Sequence, residues 1–100
     1  MDEKILKLAD NGLVSACASV GFFCYEGQGY FKRDYKEAFK YLSFASERNH
    51  PTAMAWLGEM YLKGDGVEKD FQMAQKWLTL AAHYGHPYAI KELEKLNGRN

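Results

Sequence analysis

The stretch AMAWLGEMYLKGDGVEKDFQMAQKWLTLAAHYGHPYA, residues 53–89, decides the fold because the chain contains it nearly twice. The preceding stretch, ACASVGFFCYEGQGYFKRDYKEAFKYLSFASERNHPTA, residues 16–53, aligns with it throughout once one extra residue in YFKRD is allowed for. The two units, residues 16–52 and 53–88, are 37 and 36 residues long. The glycine pair Gly27-x-Gly29 coincides with Gly64-x-Gly66. Self-similarity with a period of about 20–50 residues is typical of solenoids and other repeat arrays.

Each unit predicts two helices. In the second unit Ala53, Leu57 and Met60 follow the spacing of one buried helical face. Asp70 is a suitable N-cap for the next helix, and in the first unit Asp34 and Glu37 have the spacing of a reciprocal capping pair. The patterns together predict six helices, near residues 3–10, 14–26, 34–48, 51–63, 70–84 and 87–96.

The flanks continue the same pattern as half-units. KILKLADNGLVSA matches the end of a unit, and AIKELEKLNG matches the start of another. We therefore expect one domain over residues 1–100. It divides into an N-terminal half-repeat cap (1–15), repeat one (16–52), repeat two (53–88) and a C-terminal capping helix (89–100).

The signature A-x-x-x-L-G-x-x-Y-x-x-G-x-G-V-x-x-D-x-x-x-A-x-x-W-x-x-x-A-A-x-x-G, residues 53–85, resembles a Sel-one-like repeat, a relative of the tetratricopeptide repeats. The first unit departs from it at several positions, with Cys24 in place of Tyr61 and Val20 in place of Leu57. The resemblance implies an all-α fold, a short right-handed α/α solenoid. It also implies that the protein binds other proteins through the concave face lined by the first helix of each repeat.

Composition excludes several classes of function. Thirteen basic and thirteen acidic residues cancel, so the chain lacks the cationic surplus that nucleic-acid binders need. No apolar run reaches the roughly 20 residues of a membrane span, and the first residues lack the features of a secretory signal. Cys17 and Cys24 lie seven residues apart on one helix, too far for a disulfide. We expect a cytoplasmic protein with reduced thiols.

The glycine-rich stretch and the histidines do not predict chemistry. KGDGVEKD lacks the spacing of a phosphate-binding loop and the oxygen ligands of a calcium loop. We therefore expect Gly64 and Gly66 to shape a turn. His50 and His86 precede prolines, where they can cap helices, and His83 ends a helix. No cofactor, no metal and no enzymatic activity are expected.

The predicted binding residues lie beside the core face of the first helices. They are Phe22, Tyr25, Trp56, Glu59, Leu62, Lys63, Tyr88, Lys91 and Lys95. Phe22 and Trp56 have polar counterparts in the other units, which favours binding anchors, although packing against a neighbouring helix explains them equally well. The expected partner is another protein. An adaptor, an immunity-type inhibitor of a bacterial toxin and a weak homodimer all remain open.

Overall fold

The computed structural model describes residues 2–98, which form six helices and no strand. The helices are α1 (Asp2–Asp10), α2 (Val14–Glu26), α3 (Tyr35–Glu47), α4 (Pro51–Lys63), α5 (Phe71–His83) and α6 (Pro87–Leu96). Each bound lies within one residue of its prediction, so the six-helix all-α architecture is confirmed. Residues 1, 99 and 100, which belong to the two predicted caps, lie outside the described part.

The helices stack as pairs along one direction. The most extensive contacts join α2 to α3 and α4 to α5, the two helices of each repeat. Consecutive pairs contact each other through α3 and α4 and also through α2 and α4. The molecule is elongated, at 42 × 23 × 19 Å. The first helices of the repeats therefore lie side by side.

The core runs between the layer of first helices and the layer of second helices. Its largest fully buried side chains are Leu42, Met54, Leu57, Met60 and Leu78. Buried alanines recur at equivalent positions of the repeats: Ala16, Ala53 and Ala89, then Ala38 and Ala74, then Ala45 and Ala81. Small residues at these positions allow the helices to pack closely.

Gly21 and Gly58 mark the closest approach within each pair. A Cβ on Gly58 would lie 2.8 Å from Leu78 Cγ and 3.3 Å from the Ala74 carbonyl oxygen. A Cβ on Gly21 would lie 2.6 Å from Leu42 Cγ. Only glycine fits at these two positions without displacing the facing helix.

The glycine-rich stretch forms a turn between α4 and α5, as predicted. Gly64 and Gly66 both have a φ of 75°, in the left-handed region that favours glycine. The Gly64 N–H donates to the Met60 carbonyl at 2.8 Å, which ends α4. The Asp70 N–H donates to the Tyr61 carbonyl at 3.0 Å and joins the far end of the turn back to α4.

Aspartates cap the second helices, but the reciprocal pair does not form. The Asp34 carboxylate accepts from the Glu37 N–H, and the Asp70 carboxylate accepts from the Met73 N–H, both at 3.1 Å. In a reciprocal pair the Asp34 N–H would donate to the Glu37 carboxylate, but here it donates to the Cys24 carbonyl at 2.8 Å. The predicted reciprocal capping is therefore wrong, and the turn hydrogen bond takes its place.

The two histidines that precede prolines differ in role. Nδ1 of His50 accepts from the Ala53 N–H at 3.3 Å and caps α4 as predicted. His86 makes no such bond at α6, and its Nδ1 is buried with no hydrogen-bond partner among residues 2–98. The capping role expected for His86 is therefore wrong.

The two cysteines are free and buried, as expected from their spacing. The Cys17 thiol donates to the Ala9 carbonyl at 3.3 Å. Burial raises the pKa of the Cys24 thiol to about 11, so it stays protonated at neutral pH. Both thiols are therefore packing residues.

Replacing Gly58 by Ala tests the close approach of α4 and α5. Helix propensity alone would stabilise the variant by about 1 kcal/mol. The new methyl group overlaps the fully buried Leu78, and overpacking of this kind costs about 1–3 kcal/mol. We expect a net fall in the free energy of unfolding, measured by urea denaturation followed by circular dichroism.

The matched control is Gln75→Ala on the exposed side of α5, where we expect a change within about 0.5 kcal/mol. If the Gly58→Ala variant is at least as stable as the original chain, the contact between position 58 and Leu78 does not require glycine.

Candidate functional site

Four aromatic rings meet where the first helices of the repeats lie side by side. Trp56 of α4 lies 5.2 Å from Phe22 and 6.0 Å from Tyr25, both on α2, measured between ring centroids. On its other side Trp56 stacks on Tyr88 of α6, with centroids 5.1 Å apart and planes 25° apart. We call these four residues the ring cluster, and the surface formed by α2, α4 and α6 around it the first-helix face.

The ring cluster crosses the first-helix face obliquely. In the repeat alignment Trp56 coincides with Ser19, which lies three residues before Phe22 on α2. Tyr88 coincides with Thr52, which lies four residues before Trp56 on α4. Each successive helix therefore contributes its ring about one turn earlier.

The two sides of this oblique line differ in chemistry. One side carries small hydroxyl residues, namely Ser15, Ser19 and Thr52. The other side carries charged residues, namely Lys63, Glu92 and Lys95. The first-helix face thus presents an aromatic line between a hydroxyl-bearing region and a charged region.

Trp56 and Phe22 both pack and remain accessible. Each is half-buried, and Trp56 lies against the hydrophobic core as well as against rings from both neighbouring helices. The two residues thus pack against neighbouring helices, which was one of the two interpretations left open by the sequence. The exposed part of these rings, with that of half-buried Tyr88, is the aromatic surface offered to solvent.

Glu59 lies beneath the surface rather than on it. It is only 2% exposed, although it is one of the predicted binding residues. Its Oε2 lies 2.7 Å from Lys63 Nζ, one turn further along α4. Burial, followed by a hydrogen bond to Glu59, raises the pKa of Tyr88. Glu59 therefore contacts Lys63 and Tyr88 from a buried position, and it has almost no surface for contact with a partner.

Tyr25, another predicted binding residue, is also buried, at 7% exposed. Its hydroxyl donates to Asp65 Oδ2 at 2.7 Å, which joins α2 to the turn of the second repeat. Burial first, and this hydrogen bond second, raise the pKa of Tyr25. Tyr25 therefore contacts Trp56 and joins the two repeats. It exposes too little of its side chain to make the predicted contact with a partner.

Asp65 is the residue that sequence reasoning missed. It lies between the two turn glycines, where the first repeat has Gln28. A carboxylate that the repeat does not require was a signal for a specific contact, but its acceptance of the Tyr25 hydroxyl depends on how the repeats stack.

The remaining predicted residues are on α4 and α6. Leu62 is half-buried, whereas Lys63, Lys91 and Lys95 are exposed. Lys95 Nζ lies 3.3 Å from Glu92 Oε2 on the same helix. Lys63 and Lys95 thus each pair with a carboxylate on their own helix.

The part of the chain that the structure describes offers no grouping for metal chemistry. No three His, Cys, Asp or Glu residues among positions 2–98 are placed to hold a metal ion. No described helix is long and apolar enough to cross a bilayer.

Comparison with known proteins identifies the repeats. A family model described as Sel1 repeat matches residues 14–50 and 51–86. A Sel1 repeat protein from Oxalobacter formigenes superposes with a TM-score of 0.83 at 33% identity, over 91% of this chain and 68% of that one. A protective antigen of uropathogenic Escherichia coli that displays an SLR fold gives 0.85 at 32% identity, over 92% of this chain and 20% of that one.

Two further relatives are similar over part of their length or at lower identity. Cysteine rich protein B of Helicobacter pylori gives a TM-score of 0.79 at 27% identity, over 92% of this chain and 68% of that one. The ERAD-associated E3 ubiquitin-protein ligase component HRD3B of Arabidopsis thaliana is 39% identical over 51 residues, which are 51% of this chain and 8% of that protein. The chain thus spans only a small part of this plant relative.

Replacing Lys63 by Gln tests the dependence of buried Glu59 on its cation. The change leaves a buried carboxylate without a charged partner, which costs about 1–3 kcal/mol. We expect the free energy of unfolding to fall by that amount, measured by urea denaturation. Lys91→Gln, which alters an exposed lysine of α6, is the control and should change stability by less than about 0.5 kcal/mol.

The same substitution made in a Glu59→Gln background should cost clearly less, because the buried charge is then absent. An equal loss in both backgrounds would contradict the coupling between Glu59 and Lys63.

Proposed function

Because the chain belongs to the Sel1 repeat family, we propose that it is an adaptor that binds a partner protein through its first-helix face. Sel1 repeat proteins typically bind other proteins and are generally non-catalytic scaffolds. The observation that carries the proposal is the ring cluster, in which three half-buried rings from α2, α4 and α6 form one partly accessible aromatic line. Aromatic anchors of this kind dominate the energetics of protein interfaces.

The surroundings of the ring cluster support binding in this position. Trp56 is held by rings on both sides, so little conformational entropy is lost when a partner covers it. Exposed lysines flank the rings, where charges set the orientation and rate of association.

Adaptor activity requires no chemistry from this chain, and we propose that it is not an enzyme and acts without a cofactor. An immunity-type inhibitor that covers a bacterial toxin would use the same face and is the alternative within the binding class. The two buried, free thiols favour a reducing compartment such as the cytoplasm.

Self-association is the second candidate, and a different surface favours it. The α5–α6 end of the molecule exposes four large apolar side chains, namely Phe71, Leu80, Tyr84 and Ile90. Covering such an end by a second copy would bury apolar area. Sedimentation equilibrium over a wide range of concentrations separates the candidates, since a strict monomer rules out the dimer.

Photo-crosslinking tests the proposed function directly. Benzoylphenylalanine replaces Phe22 in the ring cluster in one variant, and exposed Tyr84 in the control variant, in cells that make the protein naturally. We expect a crosslink to another protein at position 22 and none at position 84. Crosslinks only at position 84 would contradict binding through the first-helix face.

Substitution of Trp56 then measures its contribution to the captured complex. Trp56→Ala should weaken the partner affinity about 10- to 30-fold, as expected for an aromatic hot spot of about 2 kcal/mol. Trp56→Phe keeps an aromatic ring in the cluster and should retain most of the affinity. Circular dichroism verifies that both variants are folded, and an unchanged affinity in folded Trp56→Ala would contradict the proposal.

A further inference from the structure

In the two ion pairs of α4 and α6, the acid is less exposed than the lysine, whereas Glu26 of α2 and Glu94 of α6 are exposed. The carboxylate of Glu59 is buried, and the side chain of Glu92 is 14% exposed. The side chains of Lys63 and Lys95, which pair with these two carboxylates, are 59% and 70% exposed. A partner that approaches these two ion pairs therefore meets the ammonium groups of Lys63 and Lys95 before the carboxylates of Glu59 and Glu92.

Each of the two lysines pairs with a carboxylate on its own helix. Lys63 Nζ lies 2.7 Å from Glu59 Oε2, and Lys95 Nζ lies 3.3 Å from Glu92 Oε2. An ammonium group has three N–H donors, so each lysine keeps donors for a second acceptor. A lysine that is already oriented loses less conformational entropy when it binds that acceptor.

The outer edge of α6 adds a third cation. Lys91 and Lys95 coincide in the repeat alignment with Ala55 and Glu59 of α4. On α4 these two positions are buried, whereas on α6 both lysines are exposed. Lys91 has no ion pair within 4 Å among the described residues, so its full charge is offered to solvent.

Resting on the function proposed above, we propose that the first-helix face binds an acidic segment of its partner protein. Carboxylates of that segment pair with Lys63, Lys91 and Lys95, and an adjacent apolar side chain covers the exposed rings of Trp56 and Tyr88. Charge-assisted hydrogen bonds between ammonium and carboxylate groups are stronger than neutral ones, and opposite charges speed association.

A basic segment fits this surface less well. Its cations would have to reach Glu59 and Glu92, whose side chains lie under Lys63 and Lys95. They would also meet the unpaired charge of Lys91. Like charges brought together at an interface are unfavourable, so charge complementarity selects the acidic segment.

Selection from a library of random 12-residue peptides tests this inference. The immobilised wild-type chain selects the peptides, and the Trp56→Ala variant serves for counter-selection so that binders of the ring cluster are retained. We expect Asp and Glu together to be enriched at least twofold over Lys and Arg, beside an aromatic or aliphatic residue.

Lysine substitutions then test the contacts with a synthetic copy of a selected peptide. Lys91→Gln and Lys95→Gln should each weaken binding roughly two- to fivefold, as expected for an exposed ion pair. Lys36→Gln, on exposed α3 surface, is the matched control and should leave the affinity unchanged. Raising the salt concentration should weaken binding to the wild-type chain more than binding to the double Lys91→Gln/Lys95→Gln variant.

The outcomes distinguish this inference from the proposed function. Enrichment of Lys and Arg would overturn the proposal of an acidic segment, and so would binding that requires Trp56 but not the lysines. Either result would leave the proposal of protein binding at the ring cluster intact. If no peptide survives the counter-selection against Trp56→Ala, both the acidic segment and protein binding at the ring cluster are contradicted.

Discussion

The close approach of the two helices in each repeat is the contact on which the rest of the structure depends. Gly58 lets α4 lie against Leu78 of α5, and Gly21 lets α2 lie against Leu42 of α3. Each pair therefore stacks as a compact unit with the first helices on one side. The rings of Phe22, Trp56 and Tyr88 meet only because those first helices lie side by side.

The same side chains join the repeats and form the candidate binding surface. Trp56 packs between α2 and α6, so the ring cluster stabilises the array, yet it remains half-exposed. Glu59 has a similar double position, because it is buried between helices and holds an exposed lysine at the surface. Binding and stability are therefore coupled in this face, and substitutions there need folding controls.

The sequence predicts local structure well and the depth of side chains less well. The six helices, the turn at Gly64 and the cap at Asp70 follow from neighbours in the sequence, and the structure confirms them. The burial of Glu59 and Tyr25 depends on the offset between stacked helices, which the sequence pattern of a single helix does not contain. Neither the use of the Asp34 N–H in the turn nor the lack of a cap at His86 was predictable from spacing alone.

Intermolecular nuclear Overhauser effects between the chain and a bound partner segment test the central claim most directly. If the first-helix face binds the partner, we expect contacts from the ring protons of Phe22, Trp56 and Tyr88 to the bound segment. We expect none from the exposed Phe71 at the start of α5. Contacts confined to Phe71 and its neighbours, with the ring cluster unaffected, would contradict it.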